Sequence, residues 1–397
     1  MTLFAQHGWG KSDKIDTGLR EGILSGVIMS PKDEMPARLQ DYVRKIRADH
    51  PNATVMFDPQ LYASTIADAR LGKLLEYGYF DAPKVYRDFV GAQNIAAIVR
   101  GTIDYQAGLE VTRLVSPTVG IESFSDRWRP VAVNLANESI SYVAGLADER
   151  PLILSILINE AALTSRADVD AFLDSLTDLE CAGFYFVVVR DMDGYRQTFL
   201  PEALAGLMYI TYVLAEQNDF EVYFGYTDYC SVALHAAGAT ASACGWTAGL
   251  RRFDFGRFEP SSGGRRPRER YSSQPLLNNV YITPELDQIA ENDLLDDVLT
   301  GTTRDTILDV NVPSSVAWPP DIAALHHWQS VGAAITDVAR RQDTVAKLDR
   351  LDRVLNRATA LYDSITEAEI VLSTESGPTH LEHWKRATEE FRERIGR

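Results

Sequence analysis

Five acidic residues stand where short apolar runs end: Asp58 after TVMF, Glu122 after a run that starts at Arg113, Glu160 after LILSILIN, Asp191 after FYFVVVR and Asp228 after EVYFGYT. Carboxylates that converge push one another's pKa values apart, so that one holds a proton as general acid while another stays ionised as base, nucleophile or metal ligand. Glu160, Asp58, Asp228, Asp191 and Glu122 are therefore the candidate catalytic set. Each has a structural alternative, because Asp and Glu also favour the N-termini of the helices that follow such runs.

A second group of residues is suited to binding. Asn159 adjoins Glu160, and Arg190 adjoins Asp191, where it can hold an anionic group or pair internally. Tyr226 and Trp246 can stack on a planar ring or serve as core. The segment 251–271 departs most from the chain average: Arg251, Arg252, Arg257, Arg265 and Arg266 are interleaved with Phe253, Phe255 and Phe258. Arginine binds phosphate bidentately and aromatic rings stack on bases, which fits a loop that grips a nucleotide or single-stranded nucleic acid. A solvated loop around Pro260-Ser-Ser-Gly-Gly264, or a contact with an acidic protein surface, are the alternatives. Over the whole chain 56 acidic residues face 39 basic ones, a formal charge of −17 that disfavours generic binding to nucleic acid or anionic membrane.

The pair Asn159-Glu160 at a strand end resembles the acid/base position of retaining barrel glycosidases. That resemblance implies a second carboxylate about 5 to 5.5 Å away on a later strand. The run that should supply it ends in Gly245-Trp246, without an acid, so Asp228 or Asp191 has to substitute.

The runs themselves lack polar/apolar alternation, as strands do when helices cover both faces of a parallel sheet, and chemistry in such folds is built where the strands end. Strands are expected at 22–30, 54–58, 113–122, 152–160, 184–191, 221–228, 239–246 and 279–283, the last completing the set only if the Arg-rich segment is an excursion. Proline and acids open a helix after Ser30, whose apolar positions Leu39, Val43 and Ile46 recur at three and four. Further helices fall at 130–146, 167–180 and 201–217. Eight such units within about 270 residues match a (β/α)8 barrel. An open doubly wound sheet is the rival.

The expected organisation is an N-terminal segment at 1–20, a (β/α)8 TIM-like barrel at 21–285, and an acidic linker with a C-terminal helical extension at 286–397. No Gly-x-Gly-x-x-Gly follows a strand, and no complete P-loop or Gly-x-Ser-x-Gly elbow occurs. Cys181, Cys230 and Cys244 are spaced neither as a disulfide framework nor as a zinc site. The pairs His326-His327 and His380/His383 have no completing ligand and fit surface or cap positions. No cofactor is expected, although Mg²⁺ held by carboxylates from different strands leaves no spacing signature. With no apolar stretch near the roughly 20 residues of a membrane span, a cytoplasmic protein is expected.

Two functions fit. One is a barrel enzyme using rim carboxylates on a glycosidic bond, as hydrolase or transglycosylase, in a phosphate-bearing or nucleoside-like substrate. The other is a non-catalytic scaffold subunit that binds protein partners through the Arg-rich loop and the C-terminal helices.

Overall fold

The computed structural model describes residues 2–190, 195–259 and 268–397. Strands and helices alternate in the order β1 (Leu3–Gln6), α1 (Lys14–Arg20), β2 (Gly26–Met29), α2 (Pro36–Asp49), β3 (Thr54–Phe57), α3 (Ala92–Ala107), β4 (Leu114–Val115) and β5 (Gly120–Ile121). They continue as α4 (Trp128–Ala144), β6 (Leu152–Asn159), α5 (Arg166–Thr177), β7 (Gly183–Val189), α6 (Pro201–Tyr212), β8 (Glu221–Phe224), α7 (Ser231–Ala236) and β9 (Ala241–Cys244). All neighbours are parallel, in the order β3-β2-β1-β9-β8-β7-β6-β4, with β5 also on β6.

The short strands β4 and β5 share one barrel position, separated around Pro117. Proline has no N–H to give to a ladder; beside it the Ser116 hydroxyl accepts from Ser155 N at 2.9 Å and keeps β6 bonded across the break. The remaining gap closes at Thr112, whose N–H donates to Val55 O at 2.8 Å while its hydroxyl accepts from Val55 N at 2.9 Å. The chain is thus a nearly closed (β/α)8 TIM-like barrel with C-terminal helices.

Two expectations about the strands need correction. The first barrel strand is Leu3–Gln6, inside the segment expected to lie outside the barrel, and its register places Leu3, Phe4 and Ala5 opposite Ser242, Ala243 and Cys244. The strand expected at 279–283 is not in the barrel. It forms β11 (Asn278–Tyr281), which pairs antiparallel with β10 (Arg270–Ser273) in a separate hairpin. A turn at 274–277 gives that segment a local partner, so its β-propensity is spent next door.

Helices α8 (Asp287–Glu291) and α9 (Leu295–Val298) lead to α10 (Pro320–Ala339), α11 (Thr344–Glu367) and α12 (Thr379–Arg394). Helix α10 packs against α1, α7 and β10, and α12 against α6 and α11. The indole of Trp328 on α10 is buried and donates to Cys244 O at 2.9 Å, at the end of β9. This packing corrects the expected surface histidines: His326, His327 and His380 are buried. The cysteines are free, as expected. Among the described residues no helix is long and apolar enough to cross a membrane.

Strand approach sets a hard limit at Gly183. A Cβ there would lie 2.0 Å from the carbonyl oxygen of Glu221, in the facing backbone of β8. Gly183→Ala is expected to destabilise the fold by about 1–3 kcal/mol or more through forced separation of β7 and β8. Gly249→Ala, with nothing within 4 Å, is expected to be near neutral. Urea unfolding of both variants checks this, and equal midpoints would refute it.

Candidate active site at the barrel mouth

Each strand delivers its last residues to one rim. Asp58 follows β3 and turns back into the barrel mouth, where its carboxylate accepts from Gln60 N at 3.1 Å, Tyr62 OH at 2.8 Å and Tyr185 OH at 3.4 Å. Burial at 1% exposure raises its pKa to about 6; the Tyr62 and Gln60 hydrogen bonds, the Arg257 charge and Tyr185 oppose the shift without cancelling it. Gln60 takes a left-handed conformation with φ 52, and its side-chain amide donates to Ser30 Oγ at 3.0 Å and Tyr226 OH at 3.1 Å. Tyr226 is also left-handed, with φ 54, and its N–H reaches Gln6 Oε1 at 3.3 Å. Non-glycine residues in that region carry strain of about 1–3 kcal/mol each, which tends to collect at functional sites.

A second buried carboxylate sits beyond β8. Asp228 accepts from Tyr229 N at 2.8 Å and from the Tyr195 hydroxyl, and its Oδ1 lies 3.4 Å from His327 Nε2. Burial raises it to about 6, opposed by the Arg251 charge, the Tyr229 N–H and Arg190. His327 is pushed well below the imidazole range by burial, with Arg251 and His326 acting in the same direction. The ring is therefore neutral, and its other nitrogen lies 2.8 Å from Ser272 Oγ. Asp228, His327 and Ser272 lie in a row from the barrel through α10 to the hairpin, with His327 Nε2 near Asp228 but not hydrogen-bonded among the described residues.

Glu160 takes a different role. Its carboxylate accepts from Leu200 N, the residue before α6, as a helix-capping acid does. It is raised by burial, with Leu200 N, Arg190 and His383 opposing. Arg190 is buried, lies 4.2 Å over the Phe199 ring, and is lowered by burial against the opposing charges of Glu160 and Asp228. Arg190 thus lies electrostatically between those two acids. Glu122 is exposed and accepts from Asn159 Nδ2 at 3.2 Å, so this pair stays outside the buried cluster. Asp191 lies outside the described residues.

The described arginines of the Arg-rich segment fold back on the barrel. Arg251 donates to Gly245 O at 2.8 Å and Trp246 O at 3.5 Å, Arg252 to Asp254 at 2.8 Å, and Arg257 to Asp33 at 3.4 Å. Arg265 and Arg266 lie outside the described residues. Trp246 is half-buried and donates to Trp9 O at 3.1 Å, at the edge of the mouth. The structure therefore joins Asp58, Tyr226 and Arg257 in one cluster, and Asp228, Arg190, Glu160 and Arg251 in another. Between them a narrow cavity lined by Arg190, Phe199, Tyr226, Thr227 and Cys230 has only about 10 Å³ open to the centre of a water-sized sphere. That is room for one water.

No protein-family model and no curated protein matches the chain. The residues must therefore argue from their own geometry. Among the described residues no three His, Cys, Asp or Glu side chains are grouped to hold a metal ion. Sequence reasoning missed Gln60, Tyr62, Tyr185, Tyr195 and His327. Gln60 and Tyr62 had a signal, since DPQLY sets both immediately after a strand end. Tyr185 had none, because a tyrosine inside the apolar run of β7 looks like core.

The two raised carboxyls set a pH dependence. The folded protein holds their protons more tightly than the unfolded chain, whose ordinary value is 3.8. Their protonation therefore supports the fold fully below that value, and the support is lost as pH rises through about 6. Asp58→Asn and Asp228→Asn are each expected to flatten this fall, gaining on the wild type by about 2–3 kcal/mol between acid and alkaline limits. Chemical denaturation across pH 4 to 8 measures it; an unchanged slope in both variants would remove burial as the cause.

Proposed function

We propose that the protein is an enzyme acting on a glycosidic bond of a phosphate-bearing or nucleoside-like substrate, as a hydrolase or transglycosylase. One observation carries the reading: two carboxyl groups buried at the C-terminal ends of barrel strands, Asp58 and Asp228, are both raised to about 6. Acid/base catalysis works best when the pKa lies near the working pH, and buried rim carboxyls are the groups a barrel uses for it. In this scheme the protonated member gives its proton to the leaving group as the glycosidic bond breaks. The ionised member takes a proton from the water, or from the acceptor, that forms the new bond to the anomeric carbon. Arg190, flanked by Glu160 and Asp228, favours the ionised form of those carboxyl groups. Glu160 then supports the site by holding both Arg190 and the start of α6.

The narrow mouth means that substrate enters only when Phe199 or the segment around Phe253 gives way. The same narrowness, with Arg251 and Arg252 engaged internally, favours the second reading, a scaffold subunit whose barrel does no chemistry.

Release of free base from a panel of nucleosides and nucleoside 5′-monophosphates, followed by chromatography, separates the two readings. The expected outcome is turnover by the wild type that falls by at least about 100-fold in Asp58→Asn and in Asp228→Asn, in line with loss of a general acid or base. Turnover equal to wild type in both variants would overturn the assignment of these residues. No release by the wild type from any member of the panel would favour the scaffold.

A further inference from the structure

We infer that the sector of the rim between Lys32, Arg70 and Arg257 is a binding site for a phosphate group, the anionic handle of the substrate class proposed above. This deepens that reading, but it rests on its own observations and needs no turnover to be tested.

The first observation is the state of Arg257. Its side chain is only 11% exposed, and among the described residues its side-chain hydrogen bond is the 3.4 Å contact with Asp33. Its Nε and Nη1 are sheltered from solvent and have no hydrogen-bond partner among the described residues. A guanidinium presents five N–H donors in a planar fork, and leaving buried charged donors unmade costs about 1–3 kcal/mol or more. The cation is held in place by aromatic faces instead, 4.6 Å from the Tyr226 ring centroid, 5.6 Å from Phe258 and 5.8 Å from Phe253. The rings fix the plane of the guanidinium and offer its Nε–H and Nη1–H no acceptor; these donors lie on different edges of the group, so the oxygens of an anion would meet them singly while Nη2 stays with Asp33.

The second observation is the company that Arg257 keeps. Lys32 Nζ lies 5.6 Å from the same Phe258 ring and is lowered by burial, with the charges of Arg257 and Arg70 adding to that and Asp33 opposing it. The backbone N–H of Arg70 donates to Phe258 O at 2.5 Å, which anchors the Arg70 loop beside Arg257. Lys73 N donates to Lys32 O at 2.9 Å, and at Gly72, with φ 59, a Cβ would lie 2.4 Å from that same oxygen. Three loops, after β2, β3 and β9, are thereby pressed together, each bringing one cation.

Against these three cations stands the carboxylate of Asp33, already engaged with Ser30 Oγ at 2.9 Å. Asp58 lies deeper, where its hydrogen bonds face Tyr62, Tyr185 and Gln60. Lys32, Arg70 and Arg257 against Asp33 leave an excess of two positive charges, and of one when the deeper Asp58 is ionised, so the sector attracts an anion. A phosphate there would sit beside Asp58, so a phosphorylated substrate would be held with its reacting part toward the carboxyl groups.

Thermal melting with inorganic phosphate, sulfate and chloride at equal ionic strength tests the site. A ligand that binds only the folded protein raises the melting temperature with its concentration. Phosphate and sulfate are expected to raise it in the wild type where chloride does not. Arg257→Met should lose the phosphate response, at whatever melting temperature the loss of its Asp33 pair leaves it. In the event that this variant does not fold, the double variant Lys32→Gln/Arg70→Gln should weaken phosphate binding at least tenfold. A nucleoside 5′-monophosphate that binds more tightly than inorganic phosphate identifies a phosphate ester as the ligand; equal binding identifies the free ion. A phosphate response no larger than that of chloride, or one undiminished in the variants, overturns the site. Asp58→Asn separates the two readings, because it should abolish turnover and keep the phosphate response.

Discussion

Everything at the mouth depends on a strand of four residues. Leu3–Gln6 is hydrogen-bonded to β2 on one side and β9 on the other, and among the described residues no other strand joins those two edges. Without it the sheet is an open ribbon and the rim has no inside. Its last residue also enters the site directly, since Gln6 Oε1 holds the N–H of Tyr226, the residue whose ring supports Arg257. Closure of the barrel and placement of the guanidinium are thus one act of folding. The two-sided parallel ladder is possible because β9 is built of small residues, Ala241-Ser-Ala-Cys244, which let the backbone of β1 approach while Phe4 fills the space against Tyr223 at 5.9 Å.

Once the mouth is closed, desolvation governs its chemistry. Asp58 and Asp228 accept several hydrogen bonds and face arginines, yet both are raised, because loss of water outweighs those gains. The same loss lowers Arg190 and Lys32 and keeps His327 neutral. Burial thus works against the charged form of the acids and of Lys32 alike, while the arginines remain cations. Strain points to the same place: Gln60 and Tyr226, both left-handed, are joined by a side-chain hydrogen bond at 3.1 Å.

The sequence made the barrel legible through its uninterrupted apolar runs, since a strand covered on both faces cannot alternate. It hid the first strand, because LFAQ is too short to show a period and stands against HGWG rather than a helix signal. It offered NVYIT as a strand correctly and its partner wrongly: propensity tells that a segment is extended, and only the turn at 274–277 decides what it pairs with. Asp58 and Asp228 were visible as strand ends. Their partners were not, because a site assembled from residues as far apart as Ser30, Tyr185 and Arg257 leaves no spacing. His327 was misleading for a related reason. A histidine pair on a helix looks solvated unless the helix is wedged between two other layers, as α10 is.

That wedge changes what the C-terminal region is. Ser330 on α10 donates to Ser272 O at 3.1 Å and is bonded to the Tyr229 hydroxyl, next to Asp228, while His327 spans from Asp228 to Ser272. Hairpin, helix and barrel are therefore stitched together beside a carboxylate that lacks direct access to water. The burial that raises Asp228 is contributed in part by His327, which is itself fully enclosed. An extension that only decorated the barrel would leave that acid solvated and ordinary. Helix α10 instead supplies one wall of the site, so the acidity of Asp228 is a property of the barrel and the extension folded together.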